Sequence, residues 1–117
     1  KDDPATMRDG GILEYCQLKS VTPQAWSPFL INLQEGIFAN HPAYEELNQT
    51  IQHYADDYGV AAEAIVVAWI LRHPAKIQTI VGSMNPDRLT KIAQAFDVQL
   101  TREQWYHIYR STGNVLP

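Results

Sequence analysis

The chain has 117 residues, 45% of them hydrophobic and 19% charged, with nine Lys and Arg against thirteen Asp and Glu for a net charge of -4. That size leaves room for one modest globular domain rather than several, and the negative balance is the wrong sign for gripping nucleic-acid phosphates, so no nucleic-acid partner is expected. The single cysteine, Cys16, excludes an internal disulfide and a cysteine-built zinc site and suits a reducing, cytoplasmic compartment.

Residues 1–9 are polar and read as a disordered or linker tail, with residues 10–117 as the folded unit. The start, Lys1-Asp2-Asp3-Pro4, has neither Met nor a signal-peptide pattern and is expected to be the cut end of a longer chain. Asp9 can cap a short helix from Gly11 to about Leu18, with Ile12, Leu13 and Leu18 as its apolar contacts. Ser20 to Ser27 is rich in β-branched and aromatic residues, which predicts a buried strand over Thr22 to Trp26 with Pro23 near its start. Phe29 to Ala39 holds Gly36 and no sustained period, so a long functional loop is expected there.

Asn40, His41 and Pro42 open the clearest helix, in which Tyr44, Leu47, Ile51, Tyr54 and Tyr58 recur at helical spacing until Gly59 ends it. The next helix, Ala61 to His73, is apolar almost all round and must pack on several sides before Pro74 stops it. Its most apolar stretch, Ala61 to Leu71, is interrupted by Glu63 and stops at Arg72, too short to span a bilayer, so no membrane partner is expected. Gln78 to Val81 reads as a second short strand that passes through Gly82, Ser83 and Met84 into Asn85-Pro86, an N-cap with proline at the first helical position. The helix it opens runs to Phe96 with Leu89, Ile92, Ala93 and Phe96 as the expected core face. Thr101 and Gln104 form a capping box for a last helix carrying Trp105, Ile108 and Tyr109, closed by Gly113.

This order of helix, strand, loop, two helices, strand and two helices is the α/β alternation that builds parallel sheets covered by helices. Two strands are too few for a complete domain, which at roughly 30 residues per strand-helix-strand unit would hold about four. A helix-rich segment of something larger is expected.

The segment from Thr79 to Arg88 carries the most chemistry. A strand running into glycine, serine and a capped helix turns backbone N–H groups and the positive end of a helix dipole toward one point, an anion site. Arg88, in the first turn, can grip a phosphate with two parallel hydrogen bonds. The same residues also make an ordinary strand-to-helix turn with an exposed arginine. His53, His73 and His107 suit helix-surface or structural places, His41 a cap region, and Cys16 a packed position. Glu45, Glu46, Asp56 and Asp57 suit a solvated helix face rather than a metal or acid/base site. Trp69, Trp105 and Tyr109 read as core aromatics.

Two further segments set the context. Ala25-Trp26-Ser27-Pro28-Phe29, Ala68-Trp69-Ile70-Leu71-Arg72-His73-Pro74 and Thr79-Ile80-Val81-Gly82-Ser83 stand in the order and spacing that resemble the carboxy-terminal third of the aldo-keto reductases. The stretch from Leu100 to Tyr106 and the closing Gly113-Asn114-Val115-Leu116-Pro117 are similar to the end of bacterial oxidoreductases in that family. The resemblance implies a carboxy-terminal fragment of a (β/α)8 TIM barrel, which in whole form binds NADPH at the carboxy ends of its strands and reduces aldehydes or ketones to alcohols. It makes Thr22 to Trp26 similar to barrel strand seven and Gln78 to Val81 to strand eight. Trp26 would stack on the nicotinamide ring, and Ser27, Pro28 and Phe29 would begin the loop along the pyrophosphate. Gly82, Ser83, Asn85 and Arg88 would hold the adenosine 2'-phosphate. Phe29-Leu30-Ile31-Asn32 departs from the leucine and glycines that often follow the family's Ser-Pro. Lys91 and Ile92 stand where many members place Glu and Asn against adenine.

By the same resemblance the catalytic Asp, Tyr, Lys and His belong to earlier strands, and no segment here resembles their surroundings. The chain alone is therefore expected to be inactive, with a small carbonyl substrate for the parent protein. Alternatives are a helical interaction protein that self-associates through exposed barrel surfaces, and a DNA-binding module in which Arg88 to Val98 begins a helix-turn-helix read out by the helix from Arg102. The acidic charge argues against the second.

Overall fold

The computed structural model describes residues 10–116; the expected tail at residues 1–9 and the cap at Asp9 lie outside them. The elements run α1 (Ile12–Lys19), β1 (Gln24–Trp26), β2 (Leu30–Asn32), β3 (Gly36–Ile37), α2 (Glu45–Tyr58), α3 (Ala62–Leu71), β4 (Gln78–Ile80), α4 (Pro86–Ala93) and α5 (Arg102–Ser111). Short 3-10 turns at Pro42–Tyr44 and Gln94–Asp97 lead into α2 and follow α4.

The two strands expected from their β-branched and apolar residues pair with each other in parallel, Gln24 opposite Gln78 and Trp26 opposite Ile80. Pro23 has no N–H to donate, but its carbonyl accepts from the Gln78 N–H at 2.9 Å, which starts the ladder. Parallel strands need a long crossover, and the hairpin, α2 and α3 supply it. The expectation that β1 is buried is not met: only Ala25 of its three residues is partly covered, and Trp26 keeps 76% of its surface. The described helices cover too little of this two-stranded layer, whereas parallel strands are ordinarily enclosed on both faces.

The core forms where helices meet. Leu47, Ile51, Tyr54 and Ala55 of α2 pack with Ala64, Ile65, Val67 and Ala68 of α3, then with Ile92, Ala95, Val98, Leu100 and Ile108. This vindicates the helical stripe of α2 and the all-round apolar character of α3, whose Ala64 and Ile65 are wholly covered. Ala61, at the N-cap of α3, has no side-chain acceptor; Gln94 Oε1 accepts its N–H from the far side of the core at 2.9 Å. At the other end Arg72 Nε donates to the Leu100 carbonyl. The Trp69 and Trp105 rings stack at 4.5 Å, and each indole N–H donates to the other residue's backbone carbonyl, at 3.0 and 2.9 Å. Tyr109 extends the stack. These aromatics pack on one another as expected but stay half-buried rather than in the core, and both indole N–H groups find acceptors.

Three local expectations hold in detail. Gly59 and Gly113 take left-handed conformations at φ 66° and 82°, and the Thr101–Gln104 capping box forms both of its hydrogen bonds. Two others do not. In α1 the buried residue is Cys16, while Ile12 and Leu18 are 61% and 78% exposed, because an eight-residue helix beside an uncovered strand layer has little to pack on. In the fourth helix Leu89, Ala93 and Phe96 are exposed, and Ile92 alone of the expected face is buried. The chain tightens from α-helix to 3-10 helix at Gln94, which advances each residue by more than the α-helical turn. That change of phase brings Ala95, then Val98, into the core instead.

Candidate functional site

At the carboxy ends of β1 and β4 lies a cleft of about 930 Å³ with three walls. Trp26, Ser27, Pro28, Phe29 and Leu30 form the first as the chain leaves β1, joined by Ile37 and Phe38 returning from β3. Glu45, Asn48, Gln49, Gln52, Glu63 and Val66 on α2 and α3 form the second. Ile80, Val81, Gly82, Ser83, Arg88 and Ile92, from β4 into α4, form the third.

The segment expected to be a long loop is folded. Leu30 pairs with Ile37 and Asn32 with Gly36 in a small antiparallel hairpin. Asn32 Oδ1 accepts from the Gln34 and Glu35 N–H groups at 2.8 Å each, and Gly36 takes φ 80°. An asparagine followed by a glycine four residues on is the turn signal that could have revealed it. Phe29 and Phe38 stack at 6.2 Å at its base. The hairpin segment is bracketed by two non-glycine residues in left-handed conformation, Ser27 at φ 48° and Asn40 at φ 61°. For Ser27 this conformation costs about 1–2 kcal/mol relative to ordinary geometry, whereas asparagine tolerates it better.

Asn85 caps α4 as expected: its Oδ1 accepts from the Asp87 and Arg88 N–H groups at 2.9 and 3.3 Å. The consequence corrects one expectation. Pro86 has no N–H, the next two are taken by the cap, and the Leu89 N–H donates to the Asn85 carbonyl. The helix start therefore offers an anion no free backbone donors in its first turn, and Asp87 stands there as well. Asn85 itself is not on the cleft wall, whereas the seven other positions singled out by the family resemblance, Trp26, Ser27, Pro28, Phe29, Gly82, Ser83 and Arg88, all line it. Ser83 Oγ accepts from the Asn85 N–H at 3.2 Å and keeps its hydroxyl proton for another partner. Among the described residues no carboxylate pairs with Arg88, the one lysine or arginine on the walls. The site thus carries a free guanidinium, a hydroxyl and a largely exposed indole around an apolar floor.

The α2 and α3 wall was not anticipated. Its polar residues flank the apolar stripe of α2, and only the hairpin, invisible to periodicity, turns that flank into a cleft.

The histidines take the structural places expected of them. Nδ1 of His41 accepts from the Ala43 N–H and Nδ1 of His73 from the Ala75 N–H, and His53 sits exposed beside Asp57 at 3.3 Å. Tyr54 Oη lies 2.7 Å from Nδ1 of His107 between α2 and α5, off the cleft walls. Burial, then the Asp57 and Tyr58 charges, push the Tyr54 hydroxyl above its ordinary value, the opposite of an acid poised to give up its proton. No group of His, Cys, Asp and Glu suited to a metal ion occurs among the described residues. None of their helices is long and apolar enough to cross a membrane.

Comparison with known proteins gives this geometry a context. A model of the aldo/keto reductase family matches residues 7–111. The 6-dehydroglucose reductase of Agrobacterium fabrum is 39% identical over 85% of this chain and 32% of its own length; oxidoreductase YdhF of Escherichia coli is 29% identical over 86% and 33%. The solved structure of the thermostable aldo-keto reductase Tm1743, in complex with the inhibitor epalrestat, superposes with a TM-score of 0.70 and 25% identity over 94% of this chain and 36% of that one. The chain thus spans about a third of the length of these relatives. The helix-rich α/β arrangement around β1 and β4 is the carboxy-terminal portion of a (β/α)8 barrel, and the chain belongs to the aldo/keto reductase family.

Proposed function

We propose that this chain supplies the NADPH-binding portion of an oxidoreductase that reduces aldehydes or ketones to alcohols. The observation that carries the reading is convergence. Trp26 and Ser27 from one strand end, and Gly82, Ser83 and Arg88 from the other, meet on one cleft although more than fifty residues separate them in sequence. The donor set fits the cofactor. Arg88 can take the adenosine 2'-phosphate with two parallel hydrogen bonds, Ser83 can add a hydroxyl donor, and Gly82 lets the backbone approach closely. The exposed Trp26 indole offers a face for the nicotinamide ring, and Ser27, Pro28 and Phe29 lie along the path between. When bound, the cofactor supplies the hydride.

The same reading leaves proton transfer to other residues of a whole barrel. The Tyr54–His107 pair is off the cleft, and the described residues place no tyrosine–lysine pair beside Trp26, so the chain on its own is inactive in this account. A cytoplasmic setting and self-association through the open strand layer belong to the proposal too, the latter supported by exposed Ile12, Tyr15 and Leu18 on α1.

Titrating the full chain with NADPH while following tryptophan emission tests the cofactor assignment. Saturable quenching that adenosine 2',5'-bisphosphate competes away is the expected result. Turnover of a simple aldehyde by the chain alone, at rates typical of enzymes, contradicts the inactive assignment.

A further inference from the structure

The hairpin wall of the cleft rests its Phe29 and Phe38 side chains on the helical core, and one polar side chain of α2 bonds to it directly. Asn48, half-buried on α2 and part of the cleft wall, donates from Nδ2 to the Phe38 carbonyl at 2.8 Å and to the Tyr44 carbonyl at 2.9 Å. The first bond reaches across ten residues to Phe38, just after the returning strand of the hairpin; the second fastens the same amide to its own helix start. Phe38 in turn stacks on Phe29, so the contact fixes both ends of the hairpin base. The segment between Ser27 and Asn40 turns at two left-handed non-glycine residues, and such conformations persist only when surrounding contacts over-determine them. With both amide hydrogens engaged, the one polar atom Asn48 has left is the Oδ1 acceptor.

We infer that Asn48 is a positioning residue whose amide sets where the hairpin wall stands, and thereby how long a dinucleotide stays in the cleft. The second half rests on the cofactor reading above; the first does not. Hydrogen exchange on the full chain separates them. Asn48→Asp replaces two donors with a carboxylate facing two carbonyls. Amide exchange at Phe38 and His41 and through the hairpin should then rise roughly fivefold to tenfold, the worth of one hydrogen bond, while Ile65 and Ala68 in α3 stay protected. Asn48→Gln keeps an amide donor and should recover part of the protection. In the binding assay Asn48→Ala, which removes the donors without adding charge to the cleft wall, should weaken NADPH and NADH by the same factor, because it moves a wall and not the phosphate grip. Unchanged hairpin exchange in Asn48→Asp overturns the assignment, and so does a rise that spreads equally to α3, which would make Asn48 a general fold residue. If the unmodified chain binds neither nucleotide, the cofactor reading and the residence claim fall, while the exchange data still decide whether Asn48 holds the wall.

Discussion

Ala64 and Ile65 in α3 have no exposed surface, whereas Trp26 at the end of β1 keeps 76% of its own and Leu18 in α1 keeps 78%. The helical cluster closes on itself: α2, α3 and α5 share buried side chains and reciprocal indole bonds, and distant Gln94 supplies the cap of α3. The strand layer stays open, held by a three-residue ladder and one glutamine pair. Stability and binding surface are therefore divided between regions, and the cleft lies on the seam, one wall on the rigid helices and the other two on turns leaving the strands.

The largest expected effect tests the closed side. Ile65→Ala removes a wholly covered side chain and should cost about 2–5 kcal/mol, read as a lower urea midpoint at constant slope. A loss below about 1 kcal/mol would mean the helices are not the stabilising half. Next, Trp105→Phe leaves the Trp69 carbonyl without its indole partner and should cost about 1–3 kcal/mol. Trp69→Phe should resemble it, and the double variant should cost less than the sum, since the two bonds form one reciprocal unit.

A smaller, pH-dependent effect concerns the contact between α2 and α5. Because folding raises the Tyr54 hydroxyl above its ordinary value, the neutral form is favoured in the fold. Its contribution is present below about pH 10 and is lost as pH rises through the still higher folded value. Stability of the unmodified chain should fall more steeply than that of Tyr54→Phe over that range, in denaturant melts taken at a series of alkaline pH values. Parallel curves would remove Tyr54 from the account. The smallest effect tests the open side: Trp26→Ala should leave stability within about 0.5 kcal/mol, yet weaken the NADPH response. A large loss of stability there would erase the contrast between the regions.

How far the sequence foretold this division follows from what each signal depends on. The stripe Leu47, Ile51 and Tyr54, the cap at Asn85 and the box at Thr101 are local, set by spacing within a few residues, and they stand where expected. Phe96 misled because helical phase was carried through a 3-10 turn at Gln94 that periodicity does not mark, while Leu89, inside regular α4 ahead of that turn, is simply left exposed. The burial of β1 misled because a parallel strand carries the apolar residues of a layer that the described chain does not cover. At the site, Gly82, Ser83 and Arg88 were legible from a local motif and a family resemblance. Glu45, Asn48, Gln52 and Glu63 were not, since they face the cleft only because a hairpin folds back across α2.

In the proposed cofactor site the free guanidinium at the start of α4 selects the 2'-phosphate. Dissociation constants of NADPH and NADH, measured for the chain and for Arg88→Ala, test it most directly. A charge-assisted pair of hydrogen bonds predicts that the variant binds NADPH roughly tenfold to a hundredfold more weakly and NADH almost unchanged. Equal weakening of both nucleotides, or of neither, would contradict it.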